Sequence, residues 1–411
     1  MNIPDFPNDR DYFFDENDDI YQVLGYKHPK NAVLCLKKYE CIPSQGSTTN
    51  KANTEGFSRK HTNTIKIQTD QMDLDWYSKV TQLHYRRIIT SYSSKTAMKN
   101  IENHPYSKYC SFYGSDFIEM PASKIKNYLI PQKGLIDLNE AISKDRVKAI
   151  QELKTQEISS VEFSFLLQDV ISIPEEDIGV TGSILWGGVH QFSDIDVIIY
   201  GIKNTNNFIR NSMKLTAENP RIRRPSLTEI NSLANKMVLK TGLNFDDCFI
   251  YSGKKPYLFY FGKYFLSIAF CPLPDEIKKI KLLGEGIEVK NIPELVNVTI
   301  QATIDDLDLA YFYIGLVGIS DVKMTKIGDN DVNILKIDDN RRKLTKDMNI
   351  FRILIFERDI SGYFNKGQRV EIRGLIQQVI QGNEIFYQIV IGTAENYGNE
   401  YIKIINANNR V

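Results

Sequence analysis

The chain has 411 residues, which sets a prior of two or three domains. Lys plus Arg and Asp plus Glu each number 51, so the formal net charge is zero, which excludes a uniformly basic nucleic-acid coat and an acidic tail protein. With 42% hydrophobic and 25% charged residues the chain has the balance of a globular protein. No stretch approaches the roughly 18 apolar residues of a membrane span, so no membrane partner is expected.

The N-terminus, MNIPDFPNDRDYFFDENDD, carries acids where a signal peptide needs bases, which makes the cytoplasm the expected compartment. Cys35, Cys41, Cys110, Cys248 and Cys271 form no CxxC pair and are expected to be reduced and mostly buried. His28, His61, His84, His104 and His190 show no metal-ligand spacing.

Residues 10 to 42 predict three short strands, RDYFF, DIYQVLGY and NAVLCLKKYE, parted by turn-rich DENDD and KHPKN. Residues 44 to 64 are polar, of low complexity, and predict a loop. A helix is expected from about Ser93 to Asn103, then a strand in SFYGSDFIEM. Residues 135 to 173 predict helices: one surface helix with Val147, Ile150 and Leu153 on its apolar face, and a more buried one, VEFSFLLQDVI, capped by Ser159 or Ser160 and ended by Pro174. DIGVT predicts a short strand.

From Lys203 to Lys240 eight cations face two anions, a local charge of +6 in a neutral chain, which suggests one wall of a substrate channel. Within it Ser226-Leu-Thr-Glu229 has the pattern of a capping box. PYLFYF and KYFLSIAF, joined at Gly262-Lys263, predict a hairpin. From about residue 295 short strands alternate with glycine-rich breaks (VNVTIQATI, AYFYIGLVGI, VNILKI, FRILIFE, QRVEIRGLIQQVI, IFYQIVIG, EYIKII), the pattern of a small β-barrel whose strand bends at Gly374.

The chemistry concentrates in VTGSILWGGVHQFSDIDVIIYG, residues 180 to 201. Alternation on a strand projects Asp194 and Asp196 on one face, with Ile195, Val197 and Ile199 on the other. Paired carboxylates repel unless a cation joins them, and a hard divalent ion that also takes phosphate oxygens suits the pair. Upstream, Gly182 lets a phosphate approach the backbone, and Ser183 can donate to it from a helix start. Trp186 reads as packing. Arg223 and Arg224 are candidate phosphate contacts.

Gly182-Ser183, ten intervening residues, then Asp194-Ile195-Asp196-Val197 resembles the signature of the nucleotidyltransferase superfamily that includes the DNA polymerase β-like enzymes. The segments RDYFF…DIYQVLGYKHPKNAVLCLKKY and YRRIITSYSS, with the motif and the C-terminal barrel, resemble an uncharacterised archaeal-type family of nucleotidyltransferase-like proteins. The resemblance implies an α+β multidomain protein. Its parts would be an N-terminal β-containing module (residues 1–130), a nucleotidyltransferase core of mixed β-sheet flanked by helices (131–290) and a barrel like the oligonucleotide/oligosaccharide-binding fold (291–411). It implies Mg²⁺ or Mn²⁺ on Asp194 and Asp196 as catalytic and metal-binding residues. A nucleoside triphosphate would bind at Gly182, Ser183, Arg223 and Arg224, its nucleoside monophosphate would pass to an acceptor hydroxyl, and pyrophosphate would be released. RNA, DNA, protein and small molecules remain open as acceptors.

The chain departs from the superfamily in one respect. The third carboxylate usually stands on a later strand, here KYFLSIAF, where the natural slot holds Ser267; Asp246 and Asp247 are the nearest substitutes. Two readings therefore stand: a metal-dependent nucleotidyltransferase, and a catalytically weak or inactive protein that binds nucleotide and uses its barrel to bind nucleic acid or protein.

Overall fold

The strand-forming segments collect into three sheets in chain order, in a computed structural model that describes residues 3–42, 75–89, 93–328, 330–331 and 348–405. The polar stretch 44–64 and the strand expected at VNILKI lie outside the described residues. The first sheet holds β1 (Tyr12–Asp15), β2 (Ile20–Val23), β3 (Ala32–Ile42), β4 (Asp75–Tyr77), β5 (His84–Arg87), β6 (Ser107–Cys110), β7 (Ser115–Pro121) and β8 (Ile125–Leu129). Its main path runs β4-β5-β3-β2-β1-β8, with β7 also on β3. SFYG, expected within a strand, forms the turn between β6 and β7 instead. Helix α1 (Ser94–Glu102) starts at Ser93, whose hydroxyl accepts from Thr96 N at 3.2 Å.

The next segment is helical as expected, with different boundaries. Pro131 opens α2 (Pro131–Lys144), the position where its missing N–H costs nothing. Asp145 caps α3 (Arg146–Glu152), which buries Ala149 and leaves Val147 and Ile150 exposed. Helix α4 (Thr155–Ile171) begins four residues before the expected cap, because the Glu157 carboxylate reaches back to Lys154 N at 2.6 Å. Ser159 and Ser160 are therefore buried within the helix, and Ser160 Oγ donates to Glu157 O. Ser172 closes α4 in the left-handed conformation, two residues before Pro174.

The second sheet contains β9 (Ile178–Val180), β10 (Ile195–Tyr200), β11 (Ile222–Arg223), β12 (Leu258–Phe261) and β13 (Tyr264–Cys271), in the order β11-β12-β13-β10-β9. Only β10 and β13 run parallel, so the sheet is mixed. β12 and β13 form the expected two-residue hairpin at Gly262-Lys263, with Phe261 opposite Tyr264. Between the strands lie α5 (Gly182–Leu185), α6 (Ile202–Asn211), α7 (Lys214–Glu218), α8 (Leu227–Val238) and α9 (Phe245–Lys254). Helices α4 and α6 both contact β10. The capping box opens α8 as expected: Ser226 Oγ accepts from Glu229 N, and Glu229 accepts from Ser226 N.

The third sheet comprises β14 (Ile287–Asn291), β15 (Val298–Leu309), β16 (Gly315–Ile327), β17 (Asn330–Asp331), β18 (Ile350–Ile355), β19 (Arg369–Gln381), β20 (Glu384–Ile391) and β21 (Tyr401–Ile404). Five of its strands close into a barrel in the order β15-β16-β18-β20-β19 and back to β15. Closure depends on β19 changing partner. Its first half pairs with β15 as far as Gly374, and from Leu375 it pairs with β20. A side chain at 374 would run into Val390 O, so glycine lets the strand turn inward there.

The fold is thus α+β with a closed barrel. The three sheets share one buried apolar cluster, from Phe13 and Leu34 through Val197 and Phe259 to Leu375 and Val390. A second cluster fills the barrel and its contact with α8 and α9. The five cysteines are unpaired and four are buried. Among the described residues no helix is long and apolar enough to cross a membrane.

Candidate functional site

The start of β10 carries the site. Ile195, Val197 and Ile199 are fully buried, which turns Asp194 and Asp196 to the other side of the strand. Strand β9 brings the Gly-Ser turn alongside: Val180 pairs with Val197, and Thr181 N donates to Asp196 O at 3.1 Å. Gly182 then adopts φ +61°, and a β-carbon there would lie 2.1 Å from Asp196 Oδ2. Bare backbone therefore lies against a carboxylate, which only glycine permits.

The outer surface of Asp194 is open to solvent, whereas Asp196 is half-buried. Packing of protein around the Asp194 carboxyl, and then the charge of Asp196, push its pKa up to about 7, against the pull of Arg87 and Lys236. Burial likewise raises Asp196, opposed by a hydrogen bond from Ser267 and by the charges of Arg10, Lys38 and Arg358. Ser267 stands opposite Asp196 in the parallel β10–β13 register.

No family model matches the chain. It is 24% identical over 316 residues to "Uncharacterized protein MJ1086" of Methanocaldococcus jannaschii, over 71% of this chain and 84% of that protein. No solved structure matches it. What the site does must therefore be argued from its geometry.

Other candidates prove to be engaged elsewhere. Ser183 is buried, and its hydroxyl donates to Ser193 Oγ at 3.0 Å, which in turn accepts from His190 N. Ser183 thus fastens the two ends of the spacer that must fold back to bring Gly182 to Asp196, and its hydroxyl is not directed at a phosphate. Trp186 is fully buried and packs with Tyr39, Trp76 and Tyr85 of the first sheet, as its reading as packing expects.

Arg224 donates to the carbonyls of Leu258 (2.8 Å) and Gly253 (3.0 Å). Arg223 forms a two-pronged pair with Glu229 (2.8 and 2.9 Å) over the Tyr260 ring. Both hold α8 and α9 to the hairpin. Arg223 comes nearer the aspartates, through Tyr260, on which both Glu229 and Asp194 act. Within the basic segment 203–240, Arg221 pairs with Glu162 and Lys240 with Glu357 and Asp359, while Lys236 acts on Asp194.

Asp246 and Asp247 do not supply a third carboxylate. They lie in the first turn of α9, where Asp247 pairs with Lys403 of the barrel at 2.6 Å. Among the described residues no group of three or more His, Cys, Asp or Glu could hold a metal ion.

The cations that do act on Asp196 come from remote parts of the chain. Arg10 follows from the N-terminal segment, whose carbonyl at Arg10 accepts from Thr181 Oγ1 at 2.5 Å. Lys38 is buried on β3 and donates to Gln22 at 3.0 Å. Arg358, between β18 and β19, donates to the carbonyl of Ile268, next to Ser267. Arg10 and Arg358 each stand alone in their segments and Lys38 follows Lys37 in a strand, so none carries a sign of the site; Arg87, in RR at 86–87, acts on Asp194.

Proposed function

We propose that the protein is a nucleotidyltransferase-fold protein that binds a nucleoside triphosphate with Mg²⁺ or Mn²⁺ and transfers the nucleoside monophosphate to an oxygen of an acceptor, releasing pyrophosphate. The observation that carries this reading is the contact of Gly182 backbone with the Asp196 carboxylate, beside Asp194. The Asp196 charge raises the pKa of Asp194, and such a pair gains from a shared cation. A magnesium ion held by two carboxylates completes its shell with substrate phosphates and water, so the donor set fits.

Asp194 and Asp196 would hold the ion, which supplies charge neutralisation at the phosphates. The chain's own part is positioning. Gly182 admits a phosphate to the backbone, and Arg10, Lys38 and Arg358 compensate negative charge around Asp196. The barrel's order, with β18 parallel to β20, resembles the oligonucleotide/oligosaccharide-binding barrel and supports a binding role for it.

Ser267 in the third slot favours a second reading, nucleotide binding without turnover. Incubating the full chain with each α-labelled triphosphate and Mg²⁺ or Mn²⁺ separates them. Pyrophosphate and a labelled product support transfer. Tight metal-dependent binding without pyrophosphate supports the binding module. In either case Asp194→Asn with Asp196→Asn should abolish the metal-dependent binding and leave the fold as stable or more so, because a repulsive pair is relieved. Undiminished binding in the double variant overturns both readings.

A further inference from the structure

A cavity of about 150 Å³ opens between the first sheet, α1 and the barrel. A cavity of that size takes a single six-membered ring. Its walls mix apolar side chains, Leu24 and Leu36 from the first sheet and Leu375 and Val390 from the barrel, with polar ones such as Gln22 and Gln377. Arg10 and Arg358 also line it, and these are the residues whose charges bear on Asp196. They lie close enough that Arg10, after burial, disfavours the charged form of Arg358. Of the cavity's carboxylates, Asp9 shares Arg10 at 3.3 Å and so leaves the rest of that guanidinium's fork for a ligand, Glu357 pairs with Lys240 at 3.2 Å, Glu395 is exposed and Asp116 half-exposed. Two crowded guanidiniums in the wall of a partly apolar chamber suit one anionic group on a small apolar body.

We propose that this cavity binds the acceptor, a small molecule of about one ring that carries a carboxylate or phosphate, with its anion on Arg10 and Arg358. The proposal rests on the nucleotidyl-transfer reading and names its acceptor class. It also accounts for Ser267. A hydroxyl acceptor needs a base to remove its proton, and the slot where a third carboxylate would stand holds a serine. A carboxylate or phosphate is already ionised at neutral pH and needs none. Its oxygen forms a bond to the α-phosphorus, and the bond from that phosphorus to the oxygen bridging toward the β-phosphorus breaks. Pyrophosphate leaves with the electron pair, no proton is transferred, and the product is a mixed anhydride with the nucleoside monophosphate.

The test uses the full chain, a non-hydrolysable nucleoside triphosphate with Mg²⁺, and two probes, benzoate and phenyl phosphate, with binding read by calorimetry and saturation-transfer NMR. At least one probe should bind wild type, and which one does separates carboxylate from phosphate. Arg358→Met should weaken that probe about tenfold or more. Ala97→Phe, which fills the cavity from α1, should block the probe while triphosphate binding persists, and it serves if Arg358→Met does not fold. Triphosphate binding with neither probe bound overturns the acceptor proposal alone. So does equal probe affinity in the variants, or labelling of an RNA oligonucleotide with a steep salt dependence. Absence of metal-dependent triphosphate binding overturns the transfer reading, and the proposal with it.

Discussion

Ser267 lies directly across from Asp196 in the parallel pairing of β10 and β13, and its hydroxyl hydrogen-bonds the aspartate. The position is where one more carboxylate would complete a three-acid site. Ser267→Asp should therefore lower stability without metal, by about 1–3 kcal/mol, through repulsion among three carboxylates. Added Mn²⁺ should recover the loss and raise the melting temperature more than it does for wild type. Thermal unfolding in EDTA and in MnCl2 checks this; the same metal response in both proteins would show that position 267 is not part of the site.

Gly182→Ala forces a methyl group toward Asp196 Oδ2 in a backbone conformation that side chains disfavour. The cost should be about 2 kcal/mol or more, read by denaturant unfolding. Metal-dependent nucleotide binding should fall with it, because the β9 turn must withdraw from β10. A variant as stable as wild type would contradict the contact.

Arg224→Ala strands two carbonyls, those of Leu258 and Gly253, and should destabilise by about 2 kcal/mol. Arg223→Ala removes an exposed pair and should cost less than about 1 kcal/mol. Neither change should move triphosphate affinity. A loss of affinity in Arg224→Ala at unchanged stability would return that residue to the nucleotide.

Glu400 is buried and accepts from Gly392 N, Thr393 N and the Thr393 hydroxyl. Burial outweighs those bonds and raises its pKa from 4.5 to about 7. The folded state thus keeps this proton to higher pH than the unfolded chain does. The group's contribution to stability falls as pH rises from about 4.5 to 7, by up to about 3 kcal/mol. Glu400→Gln, whose amide can donate to Thr393 Oγ1 while its oxygen accepts the two N–H groups, should flatten that slope. Unfolding free energies at pH 5 and 7.5 in both proteins decide it.

The parts legible in the sequence were those whose causes are local. The Ser226–Glu229 box, the Gly262-Lys263 hairpin, the bend at Gly374 and the Asp194/Asp196 face each follow from a few adjacent residues, and Ser267 followed from simple alternation. The start of α4 was missed because Glu157, three residues into the helix, caps it from inside. Part of the basic segment is neutralised by anions that lie far away in sequence, which its local charge does not show: Glu162 for Arg221, Glu357 and Asp359 for Lys240. The same remoteness hid Arg10, Lys38 and Arg358. A lone cation in a strand or loop carries no sign of the carboxylate it will meet.

The hold of Arg358 on the Ile268 carbonyl has a consequence for how the protein is made. The surroundings of Asp196 draw on Arg10 and on Arg358, about 350 residues further along the chain. At roughly 5–20 residues per second, the nascent chain carries the aspartate pair for some 8–30 s before Arg358 is even polymerised. The barrel segment that presents Arg358 closes later still, once β19 to β21 have emerged. A chain broken off anywhere before the barrel would display the acidic pair without its full set of counter-charges, so the timing of synthesis itself withholds a finished site from incomplete copies.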